Sequence, residues 1–273
     1  MRFLALKRGA DEWVCEYIVG KINAFAPSAE RPFVLGLPTG GTPLAVYQRL
    51  IEAYRQGRVS FKYVVTINMD EYLGLGAEHP QSYRYFMQEN FFKWVDILPE
   101  NTHIPDGLAE DVEAEAKRYE QLIADLGGVQ LFFGGVGSDG HVAFNEAGSS
   151  LGSRTRVKTL TRQTLADNAR FFDSMEEVPK YALTVGIETI MQAREVLILA
   201  KGLAKALAVE QAVEGAVNAL WPITRFQCHE RFILVCDEAA AGELKFKTLR
   251  YFASTEGQIN PQLREDLLCY SED

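Results

Sequence analysis

Short, continuous runs of apolar residues alternate with stretches of helical periodicity along most of this 273-residue chain. The runs are FVLGL at 33–37, YVVTIN at 63–68, VQLFF at 129–133, VLILA at 196–200 and RFILVCD at 231–237. Unbroken apolar runs of this length are typical of parallel strands, because helices cover both faces of such a sheet. The alternation therefore predicts an α/β fold with a doubly wound, mostly parallel sheet and helices on both faces.

Two of the intervening segments carry a clear helical pattern. TPLAVYQRLIEAYRQG, at 42–57, places its apolar residues on one stripe, and AEDVEAEAKRYEQLIADLGG, at 109–128, ends in a glycine stop. No repeat and no Pro/Gly/Ser-rich linker interrupts the chain, so we expect residues 1–273 to form a single α/β domain. The polar stretch at 161–180 breaks the alternation, and we expect it to form a lid over a site.

Composition narrows the possible functions. A net charge of −9 disfavours a nucleic-acid groove or an anionic membrane as partner, although a local basic pocket for a small anion stays open. The cysteines, at 15, 228, 236 and 269, lack C-x-x-C spacing, which fits a reducing compartment and free structural thiols. No segment resembles a signal peptide or approaches the roughly 20 apolar residues of a membrane span. We therefore expect a cytoplasmic protein.

The loop GGVGSDGHVAFNE, at 134–146, follows one of the predicted strands. It contains G-x-G-x-x-G at Gly135, Gly137 and Gly140, but a dinucleotide site also needs an acidic ribose ligand about 20 residues further on. The segment at that distance, TLTRQT, has no acidic residue. The pattern therefore argues against a nicotinamide cofactor.

The same loop carries Asp139, His141 and Glu146 within eight residues. A histidine flanked by carboxylates can be held in one tautomer for acid–base chemistry. From these residues alone a catalytic histidine and a structural one are both open interpretations. Metal binding is the weaker alternative, because the other histidines show no ligand spacing with His141.

Two further loops follow predicted strands. In GLPTGGTP, Gly40 and Gly41 let backbone N–H groups approach an anion, with Thr42 as N-cap and Pro43 as the first helical residue. This predicts a phosphate site, or else a plain strand-to-helix turn; it is not a Walker A loop. In INMDEYLGL, Asp70 and Glu71 end a strand. A partly buried carboxylate there can be a general base, although an acidic turn is the simpler interpretation of this motif alone.

Taken together, GLPTGGTP, NMDEYLGL and GGVGSDGHVAFNE resemble the signature loops of the glucosamine-6-phosphate deaminases, members of the glucosamine/galactosamine-6-phosphate isomerase family. The resemblance continues through SSLGSRTRVKTLT, NARFFD, VPKYALTVGI, KALAVEQAVEG and LKFKTLRYF, to about residue 253. It does not extend to the C-terminal tail at about 254–273. It implies a modified Rossmann-like sheet and conversion of glucosamine 6-phosphate and water to fructose 6-phosphate and ammonia in amino-sugar catabolism, without metal or nicotinamide.

The resemblance also assigns roles to residues. Asp70 matches the general base that moves the C2 proton to C1, and His141 matches the ring-opening acid/base, which Asp139 and Glu146 orient. The residues that match the ligands of the substrate phosphate are Gly40, Gly41, Thr42, Arg170 and Lys205.

Many bacterial members of this family are hexamers that N-acetylglucosamine 6-phosphate activates at a site between subunits. The residues that match this second site are Ser149, Arg156, Lys158, Thr159 and Tyr251. Alternatively, Arg156 and Lys158 are the solvated face of a strand. One departure is Ala147, where the family commonly has proline; because proline fixes φ, its loss is expected to loosen the hold on Glu146 and to alter regulation before chemistry.

Other functions remain as alternatives. A 6-phosphogluconolactonase-like hydrolase shares the general fold and the GSDGH loop, but AFNE and SSLGSRTR favour the deaminase. A phosphosugar sensor without catalysis would have lost the base, whereas Asp70, His141 and Glu146 are all present. A dehydrogenase would need the missing ribose acid.

Overall fold

The computed structural model describes residues 1–161, 165, 169, 172, 174 and 177–271. The strands of its main sheet are β1 (Arg2–Leu6), β2 (Phe33–Leu37), β3 (Val64–Asn68), β5 (Thr102–His103), β6 (Leu131–Gly135), β9 (Val196–Ala200) and β10 (Phe232–Asp237). Their order in the sheet is β1-β10-β9-β6-β2-β3-β5, and all pairings are parallel. A smaller antiparallel sheet, in the order β4-β8-β7, consists of β4 (Asp70–Tyr72), β7 (Arg156–Thr159) and β8 (Tyr181–Thr184).

Helices lie on both faces of the main sheet. They are α1 (Ala10–Phe25), α2 (Gly41–Arg55), α3 (Tyr83–Asn90), α4 (Val112–Asp125), α5 (Ile187–Met191), α6 (Ala206–Glu214) and α7 (Phe246–Ile259). Successive strand residues point to opposite faces of the sheet and belong to two apolar cores. Leu35 belongs to the core with residues of α1, α2 and α3, and Val34 belongs to the core with residues of α4, α5 and α6. The predicted doubly wound sheet is therefore confirmed. Across the described ranges, no helix has the length and apolar character needed to cross a membrane.

The predicted strands at 33–37, 63–68, 196–200 and 231–237 match the observed ones to within a residue, and both predicted helices are present. The run at 129–133 is displaced, because β6 extends through Gly134 and Gly135, which pair with Ile198 and Leu199. The first two glycines of the predicted loop are therefore strand residues. Strand β1 and the pairing of β4 with β8 were not predicted from the sequence.

The C-terminal tail covers the outer edge of β1. Residues 254–259 continue α7, and the chain then turns back so that Leu267 is buried opposite Leu6 in an antiparallel bridge. The N–H of Lys7 donates to the carbonyl of Asp266 at 2.8 Å, and the N–H of Leu268 donates to Ala5 at 2.8 Å. These bonds satisfy backbone groups that an uncovered edge strand would leave open to association.

Candidate active site

The loops after β2, β3 and β6 meet at the carboxyl ends of the strands of the main sheet, because these three strands are neighbours and run parallel. Between them lies a cavity of about 210 Å³. Its lining combines backbone of the glycine loops with polar side chains and aromatic rings. The residues predicted for substrate binding or catalysis that line it are Gly40, Gly41, Thr42, Asp70, His141 and Lys205.

The first wall of the cavity is the N-terminus of α2. The predicted cap was wrong: Gly40, not Thr42, is the N-cap, and the helix begins at Gly41. Gly40 has φ +97° and ψ −170°, a conformation that favours glycine. Pro43 is the third helical residue, which is tolerated because the first N–H groups of a helix have no intrahelical acceptor. The cap residue Gly40 has no side chain to bond the first N–H groups, and Gly40, Gly41 and Thr42 line the cavity, so this terminus suits an anion.

Asp70 lies where the chain passes from one sheet to the other. After β3, the N–H of Met69 donates to the carbonyl of Leu37, and Asp70 then pairs with Thr184 in the small sheet. Its side chain is 6% exposed, and no donor among the described residues bonds to its carboxylate. Burial, followed by the nearby charge of Glu71, raises the pKa of Asp70 to about 8. A carboxylate with this pKa is a stronger base than an ordinary aspartate, and its place on a cavity wall makes it a candidate for proton transfer.

His141, unlike Asp70, is held by a hydrogen bond to a neighbouring side chain. Its Nδ1 lies 2.6 Å from Oδ1 of Asp139, which makes Nε2 the ring nitrogen left for a substrate. The hydrogen bond from His141 lowers the pKa of Asp139 to about 2, against the effect of partial burial. Gly137 is needed beside the ring, because a Cβ there would lie 2.2 Å from His141 Cε1. The predicted Asp139–His141 contact is therefore present.

Glu146 is 5% exposed, and its Oε1 accepts from the N–H of Thr161 at 3.3 Å and from the Thr161 hydroxyl at 3.1 Å. These contacts tie the histidine loop to the first residue of the predicted lid. The predicted action of Glu146 on His141 stays a prediction.

The loop between His141 and Glu146 has unusual backbone geometry. Ala143, which lines the cavity, has φ +53°, a left-handed conformation that costs a non-glycine residue free energy. The side chain of Asn145 holds this turn by donating to the carbonyls of Val142 at 3.0 Å and Val185 at 2.8 Å. Strain supported by a buried amide in this way is typical of functional loops.

Ala147 occupies the second position of a four-residue turn. The N–H of Ser149 donates to the carbonyl of Glu146 at 3.0 Å, and Gly148 has φ +82°. Ala147 is not among the residues with positive φ, so the turn is of type II. Proline is common at this position because its φ is already fixed near the required value. Here Gly148 and the hydrogen bond close the turn without it.

Aromatic residues that the sequence analysis missed complete the cavity. Tyr83 and Phe144 line it with nearly parallel rings, whose centroids are 6.1 Å apart. Tyr83 also lies 4.8 Å from the ring of Tyr72, and burial raises its pKa well above the ordinary value. The only local signal was Ser82, a good N-cap residue, which accepts from the N–H of Tyr85 and starts α3.

Lys205 reaches the cavity from the short turn before α6. This turn begins at Gly202, whose φ is +84°. The N–H of Gly202 donates to both carboxylate oxygens of Asp237, each at 3.0 Å. Arg170, the other predicted cationic ligand, and most of the predicted lid lie outside the described residues. Within the described part of the chain, no three His, Cys, Asp or Glu side chains are grouped as a metal site.

The residues predicted for a second, regulatory site lie on separate elements. Arg156, Lys158 and Thr159 share β7, which agrees with the strand predicted for Arg156 and Lys158. Ser149 is buried, and its hydroxyl oxygen has no hydrogen-bond partner among the described residues. Tyr251 is 66% exposed on α7, which packs against β1 at the far edge of the main sheet from β5. The β7 residues therefore lie together, whereas Tyr251 lies on another element.

Residues 9–234 match the family described as glucosamine-6-phosphate isomerases/6-phosphogluconolactonase, and the chain belongs to this family. The matched range contains every residue of the cavity and ends before α7.

Individual relatives are similar over almost their whole length. The glucosamine-6-phosphate deaminase of Tolumonas auensis is 61% identical over 259 residues, which cover 94% of this chain and 97% of the relative. The Haemophilus influenzae protein of the same name is 56% identical over 262 residues, 95% of this chain and 97% of the relative. A solved structure described as a monomeric glucosamine-6-phosphate deaminase superposes with a TM-score of 0.81 at 39% identity, over 89% of this chain and 99% of that one.

Proposed function

We propose that the protein converts D-glucosamine 6-phosphate and water to D-fructose 6-phosphate and ammonia, as an aldose–ketose isomerase and deaminase of amino-sugar catabolism. One observation carries the proposal: a single cavity combines a buried carboxylate with no donor among the described residues, a carboxylate-bound histidine, a helix N-terminus whose cap residue is glycine, and a lysine. The names of the two close relatives support the same substrate.

The substrate phosphate is proposed to bind at Gly40, Gly41 and Thr42, where the first N–H groups of α2 favour an anion. Lys205 supplies a positive charge at the same cavity. Arg170 belongs to this proposal as a second cation. Binding the phosphate at one end fixes the sugar carbons at the other, where Asp70 and His141 lie.

Ring opening is assigned to His141. The imidazole accepts the proton of the C1 hydroxyl and returns a proton to the ring oxygen, which gives the open-chain aldehyde. The bond to Asp139 keeps the Nδ1 proton in place, so Nε2 carries out both transfers. Glu146 is proposed to orient this loop through its bonds to Thr161.

Isomerisation is assigned to Asp70. Once the aldehyde has formed, the C2 proton is acidic, and Asp70 removes it and delivers it to C1 through an enolamine. The resulting imine at C2 adds water and releases ammonia, so the balance is one water consumed and one ammonia formed. The substrate is a cation at its amino group, and its positive charge near Asp70 favours the ionised carboxylate that the step needs.

A lactone hydrolase is the main competing function, because the family description includes both activities. The test is to assay the purified protein for ammonia release from glucosamine 6-phosphate and for hydrolysis of 6-phosphogluconolactone. We expect turnover of the amino sugar alone. Lactone hydrolysis without ammonia release would overturn the proposal, and loss of ammonia release after dialysis against a chelator would overturn its metal-free mechanism.

The phosphate site has a matched pair of variants. Lys205→Met is expected to raise KM for glucosamine 6-phosphate about tenfold, since it removes a charge-assisted contact. Lys201→Met is the control, because Lys201 lies four residues earlier and bonds Asp11 at 2.5 Å outside the cavity lining. Equal KM values for the two variants would remove Lys205 from the phosphate site.

We further propose that N-acetylglucosamine 6-phosphate activates the enzyme at a second site formed by Ser149, Arg156, Lys158, Thr159 and Tyr251 in a homohexamer. The buried Ser149 hydroxyl without a described partner and the two cations of β7 support an anion there. Tyr251 lies on α7 and not on β7, and in this proposal the Tyr251 of another subunit completes the site. The family does not fix the assembly by itself, since one similar structure is described as monomeric.

Sedimentation velocity and substrate kinetics with and without N-acetylglucosamine 6-phosphate test the second site. We expect a hexamer whose cooperativity the activator removes, and loss of that response in Tyr251→Ala. Arg250→Ala, the exposed neighbour on α7, is the control and should keep the response. A monomer with hyperbolic, unresponsive kinetics would overturn this part. A cytoplasmic location completes the proposal and fits the unpaired state of all four cysteines.

A further inference from the structure

Glu71 follows Asp70 directly, yet nothing in the proposed chemistry uses it. Its side chain is 2% exposed, and its carboxylate accepts three backbone N–H groups. Oε1 accepts from Tyr72 at 2.9 Å and from Tyr83 at 2.8 Å, and Oε2 accepts from Arg84 at 2.9 Å. A buried carboxylate with this many donors is fixed in place, because every bond that is broken would leave a buried polar group unpaired.

Two of the three donors belong to the first turn of α3. That helix begins at Tyr83, and the first N–H groups of a helix need acceptors from outside it. Ser82 supplies one by accepting from Tyr85, and Glu71 supplies two from the neighbouring small sheet. The strand that carries Asp70 is thereby joined to the helix that places the Tyr83 ring on the cavity wall.

Successive side chains of a strand point to opposite faces. Asp70 faces the active-site cavity, whereas Glu71 faces a separate cavity of about 300 Å³ on the other side of β4. The charged groups that line this cavity with Glu71 are Arg84, Asp106 and Arg118, and the phenol of Tyr72 is within electrostatic reach of both Asp70 and Glu71. The corresponding groups on the side of Asp70 are Tyr83, His141 and Lys205.

We propose that Glu71 is a positioning residue for the reaction, which holds Tyr83 against the substrate cavity and keeps a fixed negative charge behind Asp70. This inference rests on the proposed role of Asp70 as the base. Its electrostatic part agrees with the contribution of Glu71 to the raised pKa of Asp70. Burial raises the pKa of Glu71 itself, and the three N–H donors act in the opposite direction, in favour of the charged form.

The experiment compares the pH dependence of kcat/KM for ammonia release in the parent protein and three variants. Glu71→Gln removes the charge and the acceptor for Arg84 while keeping one oxygen for Tyr72 and Tyr83. We expect its acid limb to move down by about one pH unit, because a nearby like charge has been removed from Asp70. Its plateau kcat/KM is expected to fall about tenfold, because the first turn of α3, which carries Tyr83, loses the acceptor of the Arg84 N–H.

Ser82→Ala is the matched control, because it weakens the start of the same helix without changing any charge. It should lower thermal stability and leave the acid limb where it is. Glu71→Asp keeps the charge on a shorter side chain, so we expect an unshifted acid limb with a KM raised about threefold. Circular dichroism and thermal unfolding establish which variants are folded.

The outcomes separate this inference from the proposed function. A folded Glu71→Gln with an unshifted acid limb, or a shift of equal size in Ser82→Ala, overturns the electrostatic role. A Glu71→Asp variant with the parent's KM overturns the positioning role, and this arm stands even if Glu71→Gln does not fold. An active Asp70→Asn would instead overturn the role of Asp70, whatever Glu71 does.

Discussion

Asp70 and Asp139 are chemically identical carboxylates on neighbouring loops, but the protein treats them in opposite ways. Asp70 is 6% exposed without a described donor, and its pKa rises to about 8. The Asp139 side chain is 51% exposed and bonded to His141, and its pKa falls to about 2. Burial thus prepares one carboxylate to take up a proton, while hydrogen bonding keeps the other ionised as a support for the histidine.

The largest expected effect is that of removing the base. Asp70→Asn should reduce kcat for ammonia release by about a thousandfold or more, since the amide cannot accept the C2 proton. The same variant should be more stable than the parent. Because folding raises the pKa of Asp70 from 3.8 to about 8, the folded protein binds more protons than the unfolded chain in that pH window. The parent's unfolding free energy therefore falls as pH rises through the window.

The difference in unfolding free energy between Asp70→Asn and the parent is the control for the role of Asp70 as a base. The gain in Asp70→Asn should be on the order of 1–3 kcal/mol above pH 8 and should shrink toward pH 4, where the parent is protonated as well. Denaturant unfolding at several pH values measures it. An asparagine variant that is inactive but also less stable at every pH would show a folding defect and not the loss of a base.

The second effect tests the other side of the comparison. Asp139→Asn should lower kcat/KM about a hundredfold, because an amide can donate to Nδ1 and thereby favour the wrong tautomer of His141. Since the Asp139 side chain is half exposed, the variant should unfold at nearly the parent's temperature. Full activity in a folded Asp139→Asn would mean that the tautomer of His141 does not matter to turnover.

A third, smaller effect is the pH profile of the parent enzyme. If Asp70 must be ionised, kcat/KM should rise about tenfold per pH unit below its pKa and level off near pH 8. Asp139 contributes no limb in this range, because its pKa is about 2. Stopped assays of ammonia from pH 5 to 9 measure the profile. An acid limb near pH 4 would assign Asp70 an ordinary pKa and contradict the effect of its burial.

The sequence was sufficient for the parts of this comparison that depend on residue type and local spacing. The apolar runs predicted five strands of the main sheet, and parallel order then brought Asp70, His141 and the Gly40 turn to one edge. Asp139 was readable as a partner of His141 because the two are close in the chain. Such local patterns determine which loops meet.

The missing parts depend on contacts between distant residues. Tyr83 reaches the cavity through Glu71, 12 positions earlier, and no motif links the two. The pairing of β4 with β8 joins residues more than 100 positions apart, and both strands are only three or four residues long. The observed helix cap is Gly40 and not the predicted Thr42, because the φ of +97° at Gly40 sets where the helix begins. Burial, and with it the pKa of Asp70, follows from such pairings.

The smallest effect concerns the loop that supports Asp139 and His141. Ala147→Pro should raise the unfolding free energy by about 0.4–1 kcal/mol, because proline restricts the unfolded chain and fits the second position of a type II turn. The exposed Ala147 donates no hydrogen bond to the described residues, so the substitution breaks none there. Thermal unfolding measures the gain, and kcat should stay within twofold of the parent. A loss of stability would mean that Glu146 cannot adopt the extended backbone that proline requires of the residue before it, and that alanine is at this position for that reason.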